Sequence, residues 1–401
     1  MPRVIPKRYD ALYGAVAFGM LVYVYAAFRV VVLGRVPRLD GHLLVSTHRS
    51  DADVPLICAN LFFRSPMWRT RKGRPHFAAR DDLFERGVLA GLAPWTPLPL
   101  RRLLFAVDPA RYLPSMRVHP IRSSTSAKAA QAIGGLPPAT RLDAVLPPPL
   151  AARFTERGIA FVGDALRADV VDLLWTDVSE DEVPERHDFW RRRAQEATAD
   201  VRNLVAVVTE RKPLLVFPEG RPSPDGSIGP LRKGAELLVR RGRPVAIAPI
   251  GLAYDPLTRG KVRACVAFGQ ELAPPAYGTS GLLDELRRVT PLTCGQVVAH
   301  RLLAGSSRVA AHELDGELAA AVARAGREGR HVDSALVGTA ARRARLSDCL
   351  RSLVRDGVIV RFGEDGLHID RDRADADPRL RRLATEYVSA RASHAATADR
   401  R

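Results

Sequence analysis

A histidine and an aspartate five positions apart are the first residues whose spacing could support chemistry. His48 and Asp53 follow a short apolar run at 43–45, and Asp51 lies between them. An imidazole with an ordinary pKa of about 6.5 can accept a proton from a hydroxyl group near neutral pH. A buried carboxylate on its other nitrogen fixes the tautomer and stabilises the imidazolium ion that forms. The segment therefore predicts a general base, with Asp51 or Asp53 as its carboxylate.

A second polar segment follows another apolar run far downstream. Residues 217–223 read Phe-Pro-Glu-Gly-Arg-Pro-Ser and come directly after the apolar residues 214–216. Proline and glycine at this spacing predict a tight turn at the end of a strand, and the turn would carry Glu219 and Gly220.

The two segments, in this order, resemble the signatures of the phospholipid and glycerol-phosphate acyltransferases, which are a His-x4-Asp pair and a Phe-Pro-Glu-Gly turn. The resemblance extends over residues 30–275, with one interruption. It selects Asp53 over Asp51 as the carboxylate and implies that His48 is the general base. The substrate hydroxyl would then attack an acyl thioester directly, without an enzyme nucleophile.

The resemblance also implies which residues bind the substrates. Glu219 and Gly220 are assigned to acceptor binding and to positioning the phosphate-binding groups. Arg122 matches the arginine that contacts the acceptor phosphate, and a guanidinium offers paired donors to phosphate oxygens. Arg221 is a further candidate, although relatives often carry this arginine one position later, where the chain has proline. Lys233, in a Lys-Gly pair that commonly follows the turn, is a candidate of second rank.

Pro249 matches a proline in an apolar strand of the same family and is implied to shape the pocket for the acyl chain or thioester. Because proline cannot donate to a sheet ladder, we expect Pro249 at a sheet edge or at a bulge.

The acceptor is left open between two glycerolipids. The triplet at 48–50 and the Tyr-Asp pair at 254–255 favour glycerol 3-phosphate, whereas the general motif pattern fits lysophosphatidate equally well. A different lysolipid or a glycolipid is a further alternative. The resemblance implies a role in phospholipid biosynthesis with acyl-CoA or acyl carrier protein as co-substrate. No cofactor and no metal are expected.

Composition indicates a globular protein with an anionic partner. The 401 residues are 46% apolar, and 61 lysines and arginines give a formal net charge of +17. Such a surface favours phosphate esters, acidic lipid headgroups or nucleic acid, although a GC-rich genome would also enrich arginine. The four cysteines are widely spaced, which argues against a zinc site or a disulfide framework and fits a reducing, cytoplasmic setting.

An uncharged stretch of 18 residues, 11–28, lies near the N-terminus between basic residues. We interpret residues 1–29 as a membrane-anchoring helix, with the catalytic domain facing the cytoplasm and an anionic membrane surface as a partner. A buried core helix and a secretory signal are the alternatives. The flanking charges do not decide between a helix that spans the bilayer and one that lies in its interface.

Alternating strand and helix patterns predict an α/β fold with a mixed central β-sheet flanked by helices over residues 30–275. Residues 123–188 form an insertion, whose proline-rich part at 123–149 is interpreted as a linker or surface loop.

Residues 276–401 are predicted to form a small, mainly helical α+β extension. A helix at 346–354 followed by a hairpin resembles the last part of a winged helix. This suggests an alternative in which the core is a lipid sensor and the extension binds nucleic acid through Arg342, Arg343, Arg345 and Arg351. Because His48, Asp53 and Glu219 are all retained, we favour an enzyme, and nucleic acid is not the expected partner.

Overall fold

The computed structural model describes residues 8–64, 74–92, 96–183, 186–274, 279–304, 307–363 and 366–398. The chain divides into two compact units. The first consists of Met1–Tyr9 and His76–Val207, and the second of Asp10–Pro75 and Val208–Arg401. Both motif segments and all of the chain beyond residue 208 belong to the second unit. The boundary expected near residue 275 therefore lies within this unit.

The strands and helices are numbered in chain order. The described strands are β1 (Phe28–Gly34), β2 (His42–Ser46), β3 (His76–Arg80), β4 (Val118–Ile121), β5 (Ser126–Lys128), β6 (Asp177–Ser179), β7 (Leu214–Val216), β8 (Ala246–Asp255), β9 (Val262–Phe268), β10 (Arg308–Val309), β11 (Ile359–Gly363) and β12 (Gly366–Ile369). The described α-helices are α1 (Arg8–Ala27), α2 (Asp53–Arg64), α3 (Val88–Leu92), α4 (Leu98–Ala106), α5 (Ala129–Ile133), α6 (Pro148–Thr155), α7 (Val162–Ala165), α8 (Val171–Leu174), α9 (His187–Thr209), α10 (Lys233–Gly242), α11 (Thr279–Val289), α12 (Cys294–Ala304), α13 (Ala311–Arg327), α14 (Thr339–Arg355), α15 (Arg371–Ala376) and α16 (Pro378–Ala398).

The second unit contains the mixed sheet that the sequence predicts. Its strands lie side by side in the order β1, β9, β8, β2, β7. The pairs β1–β9, β2–β8 and β2–β7 are parallel, whereas β8–β9 is antiparallel. Every residue of β2 is buried, as expected for a central strand covered on both faces.

The pairing of β2 with β7 brings the two sequence motifs together. Val45 lies opposite Val216, so the parallel strands end at the same edge of the sheet. The histidine segment leaves β2 at this edge, and the Phe-Pro-Glu-Gly segment leaves β7 beside it. Crevices at the carboxyl ends of parallel strands are the usual location of binding sites in α/β sheets.

The first unit has a hydrophobic core of its own. Parallel strands β3 and β4 and the antiparallel pair β5–β6 belong to this unit. Its core includes Ile133, Phe154, Leu173 and Trp190, which are all buried.

The interpretation of residues 123–149 as a linker or surface loop is wrong. This segment contains β5, α5 and the start of α6, and it buries Ala129, Ile133 and Leu142. Pro148 is the first residue of α6, where a missing N–H group costs nothing.

The predicted N-terminal helix is present as α1. Ala17 and Val24 on this helix are buried, whereas Phe18, Val22 and Tyr23 are exposed. Within the ranges that the structure describes, no helix is long and apolar enough to cross a membrane. The chain passes from α1 into strand β1 at Phe28.

The predicted helix and hairpin near residue 350 are α14, β11 and β12. They complete a helix-strand-helix-helix-strand-strand sequence that begins with α12 and contains an antiparallel sheet in the order β10, β12, β11. The arginines suggested as a basic patch are largely occupied: Arg342 and Arg343 bind Asp315, and the buried Arg345 binds Asp255 at the end of β8.

Candidate active site

His48 and Asp53 form a hydrogen-bonded pair at the edge of the sheet where β2 ends. The Nδ1 atom of His48 lies 2.9 Å from Oδ2 of Asp53, the first residue of α2. The His48 side chain is 14% exposed and stacks on Phe217, with ring centroids 4.4 Å apart. Because Asp53 occupies Nδ1, the other ring nitrogen, Nε2, is the one that can meet a substrate.

The Asp53 carboxylate is completely buried and binds four donors. Its Oδ2 accepts hydrogen bonds from His48 and from the backbone N–H groups of Arg49 and Ser50, and its Oδ1 accepts one from the Tyr254 hydroxyl. Buried polar groups are normally hydrogen-bonded, and these four donors satisfy both carboxylate oxygens. Asp51, the competing carboxylate in the sequence, is exposed.

Tyr254 is a site residue that the sequence does not identify as one. Its hydroxyl lies 2.7 Å from Oδ1 of Asp53. Burial, followed by the charge of Asp53, raises the pKa of Tyr254 far above its ordinary value, so the hydroxyl remains a proton donor in its hydrogen bond. Its position on β8, the strand that pairs with β2, could have indicated this contact, but the sequence around Tyr254 does not show which strand β8 pairs with.

Glu219 supports the backbone at His48. Its Oε1 accepts a hydrogen bond of 2.8 Å from the His48 N–H, and its Oε2 accepts one of 3.2 Å from Gly229. Burial raises the pKa of Glu219, and the charge of Arg49 opposes this shift. Glu219 therefore holds the backbone at His48 in place.

Gly220 allows the turn that places Glu219. Its φ of +77° lies in the left-handed region, where glycine carries no steric cost. A Cβ atom at this position would also lie 3.2 Å from Nε of Arg232.

Three basic residues lie along this turn and the helix that follows it. Arg221 and Lys233 are exposed, as is Arg232, which the sequence interpretation did not assign. The Arg232 N–H donates to the carbonyl of Pro218 at 2.8 Å, and this fixes its position against the turn. Lys233 is the first residue of α10.

Arg122 lies in the first unit and is already bound to carboxylates. Its guanidinium contacts both Asp200 oxygens at 2.8 Å and Glu196 at 3.2 Å. These carboxylates compensate its charge. Phosphate binding by Arg122 stays a prediction.

Pro249 is buried inside the sheet, so the expectation of an edge position is wrong. It belongs to β8, which lies between β2 and β9, and it is paired with Val45. The missing N–H group of Pro249 removes no hydrogen bond from the ladder between β8 and β9, because this ladder begins only at Ile250. The Pro249 carbonyl still accepts a hydrogen bond of 2.9 Å from Gly269.

The fold and the site define a mixed α/β protein with a buried aspartate, a histidine and a glutamate-bearing turn at one edge of its sheet. No protein-family model matches the sequence, and a search of curated proteins gives no match. Among solved structures, the chain is similar to PlsC, the 1-acyl-sn-glycerophosphate (LPA) acyltransferase of Thermotoga maritima. The two are 12% identical, with a TM-score of 0.35 over 69% of this chain and 76% of PlsC.

Proposed function

We propose that this protein is an O-acyltransferase that transfers a fatty acyl group from acyl-CoA or acyl carrier protein to a hydroxyl of glycerol 3-phosphate or lysophosphatidate. The observation that carries this proposal is the His48–Asp53 pair, in which a buried carboxylate orients the imidazole. Direct attack by a substrate hydroxyl requires such a base.

The proposed reaction begins when Nε2 of His48 removes the proton from the acceptor hydroxyl as its oxygen attacks the thioester carbonyl. The C–O bond forms, and the carbonyl electrons move onto oxygen. Asp53 stabilises the imidazolium ion that results. The tetrahedral intermediate then expels the thiolate, which takes the proton from His48, so that ester and free thiol leave and the histidine is regenerated.

The basic side chains near Glu219 provide a phosphate-binding region in this proposal. Arg221, Arg232 and Lys233 are exposed, and arginine in particular offers paired donors to a phosphate. Both acceptors carry a phosphate, and so does the CoA carrier. Arg122 is a further candidate for the acceptor phosphate.

A peripheral contact of α1 with an anionic membrane surface forms part of the proposal. Tyr23 is exposed on this helix, and tyrosine is enriched at the headgroup level of a bilayer. The exposed Phe18 adds apolar surface of the kind that interfacial helices insert below the headgroups. The formal charge of +17 would add electrostatic attraction to acidic lipids.

The test is acyl transfer by the purified protein in mixed micelles. Glycerol 3-phosphate, lysophosphatidate and a phosphate-free lysolipid are offered separately, each with acyl-CoA and with acyl carrier protein as donor. We expect turnover of one phosphorylated acceptor and a loss of about 10²–10⁴-fold in His48→Ala.

His312→Ala is the matched control because His312 is exposed and lies on α13. Full activity of folded His48→Ala would contradict the mechanism. Turnover of the phosphate-free lysolipid alone would contradict the proposal that the acceptor carries a phosphate.

A further inference from the structure

The C-terminal helix α16 packs against the loop that follows the Glu219 turn. The hydroxyl of Ser389 accepts a hydrogen bond of 2.9 Å from the Ile228 N–H. Gly226 lies so close to the helix that a Cβ atom would be 2.6 Å from both the Arg382 carbonyl oxygen and Cγ of Glu386. Its φ of +87° also favours glycine. The approach of loop and helix thus depends on a residue without a side chain.

Arg49 is enclosed by this loop and α16. Its side chain is 1% exposed, and Nη1 donates to the carbonyls of Gly226 and Ser227. Within the described part of the chain, Nε and Nη2 have no hydrogen-bond partner. Glu386 on α16 is 2% exposed; burial raises the pKa of its carboxyl, and the charge of Arg49 opposes this shift, so the two groups interact electrostatically.

The backbone between His48 and Ser50 is held from both sides. The peptide group joining His48 to Arg49 accepts a hydrogen bond of 3.1 Å from the Ser223 N–H and donates to Asp53. The next peptide group, from Arg49 to Ser50, donates to Asp53 at 2.9 Å through its N–H. Its carbonyl accepts a hydrogen bond from the guanidinium of Arg382. Arg382 therefore completes the set of contacts that fix the histidine segment.

We propose that Arg382 is a positioning residue for the His48–Asp53 pair and that α16 is an integral part of the active site. The proposal deepens the proposed acyltransferase function and rests on it where turnover is the readout. The general base must be held within a fraction of an ångström of its productive position, and errors of about 1 Å can cost about 10²-fold in rate. Loss of the Arg382 contact would free one side of the Arg49–Ser50 peptide group.

The experiment compares Arg382→Ala, Arg382→Lys and Arg381→Ala. Arg381 is the matched control because it is exposed on the same helix and its guanidinium donates to the nearby Ala376 carbonyl, its one side-chain hydrogen bond among the described residues. The first readout is amide hydrogen exchange of residues 47–53 in the full-length protein, which requires no substrate. We expect about tenfold faster exchange in Arg382→Ala and unchanged exchange in Arg381→Ala. Lysine retains one donor for the carbonyl, so Arg382→Lys should restore most of the protection.

The second readout separates kcat from KM for the acceptor that the wild type uses. We expect kcat of Arg382→Ala to fall about tenfold with KM unchanged, and Arg382→Lys to recover most of it. Unaltered exchange at 47–53 in folded Arg382→Ala would overturn the positioning role, as would equal effects of Arg381→Ala. Faster exchange in a protein that acylates none of the acceptors would sustain this role and contradict only the proposed function.

Discussion

The hydroxyl of Tyr254 donates a hydrogen bond to the Asp53 oxygen that does not contact His48, at a distance of 2.7 Å. The two oxygens of Asp53 thus have different partners: Oδ2 binds the histidine segment, and Oδ1 binds the tyrosine hydroxyl. Strand β8 carries Tyr254, so the sheet itself contributes to the orientation of the Asp53 carboxylate.

Tyr254→Phe should lower kcat with little change in KM, because the aromatic ring remains while Asp53 loses one donor. A buried, charged acceptor left without a partner costs about 1–3 kcal/mol, and we expect this loss in the free energy of unfolding. Because the raised pKa of Tyr254 keeps its hydroxyl protonated, the ratio of mutant to wild-type kcat should be constant from about pH 6 to about pH 9. Steady-state kinetics over this range and urea unfolding measure both effects. If Tyr254→Phe kept the kcat and the stability of the wild type, the role of the Tyr254 hydroxyl in orienting Asp53 would be contradicted.

Asp53→Asn tests whether the charge of the carboxylate is required. An asparagine oxygen can still accept from the backbone N–H groups of Arg49 and Ser50, so the segment should keep its shape. The imidazolium formed during proton transfer would lose its counter-charge, and the rate should fall about 10³–10⁴-fold. Initial rates, with circular dichroism to verify folding, provide the measurement. A loss below about tenfold would show that Asp53 acts only through geometry.

Much of the fold and the pair His48–Asp53 could be predicted because their signals are local. Apolar runs marked β2 and β7, and each motif follows its strand within a few residues. The pairing of β2 with β7 then brings Glu219 to the backbone of His48. Periodicity and turn residues are sufficient for this part of the structure.

The contacts of Tyr254 and Arg382 could not be predicted in this way. They join residues separated by 201 and 333 positions. Arg382 lies in no motif, and the Tyr-Asp pair at 254–255 carries no local sign that its tyrosine contacts Asp53. The expected edge position of Pro249 was wrong for a related reason. Proline avoids positions that must donate to a sheet ladder, but where the ladder between β8 and β9 begins depends on the pairing with β9 and cannot be read from the sequence around Pro249. Register between distant strands is decided by tertiary packing.

Glu386 predicts a specific dependence of stability on pH. Burial raises the pKa of this carboxyl, and the charge of Arg49 opposes the shift. The folded state therefore binds a proton more tightly than the unfolded state, so stability falls as pH rises from the ordinary glutamate pKa of about 4.3 through the raised value. Glu386→Gln removes the titrating carboxyl and therefore its contribution to the pH dependence of stability. The melting temperature of the variant relative to wild type should thus be higher at about pH 8 than at about pH 5.

Ser389→Ala is the control for this comparison, because Ser389 lies on the same helix and has no group that titrates in this range. Its effect on the melting temperature should be the same at both pH values. A difference between Glu386→Gln and wild type that does not change with pH would contradict the assignment.

The ion pair between Arg263 and Asp333 should be essential to the second unit. Arg263 belongs to β9, Asp333 lies between α13 and α14, and the two side chains are 6% and 0% exposed. Two guanidinium nitrogens bind the two carboxylate oxygens, so removing either partner would leave a buried charge alone. Asp333→Ala should reduce the free energy of unfolding by about 3–5 kcal/mol, measured by urea denaturation. The double variant Arg263→Met, Asp333→Leu should lose much less than the sum of its single changes, because no uncompensated charge remains.

Asp375→Ala, which removes the more exposed pair with Arg371 on α15, is the control and should cost at most about 1 kcal/mol. If Asp333→Ala cost no more than this control, the segment beyond α13 would be only loosely attached to the unit that carries the candidate active site.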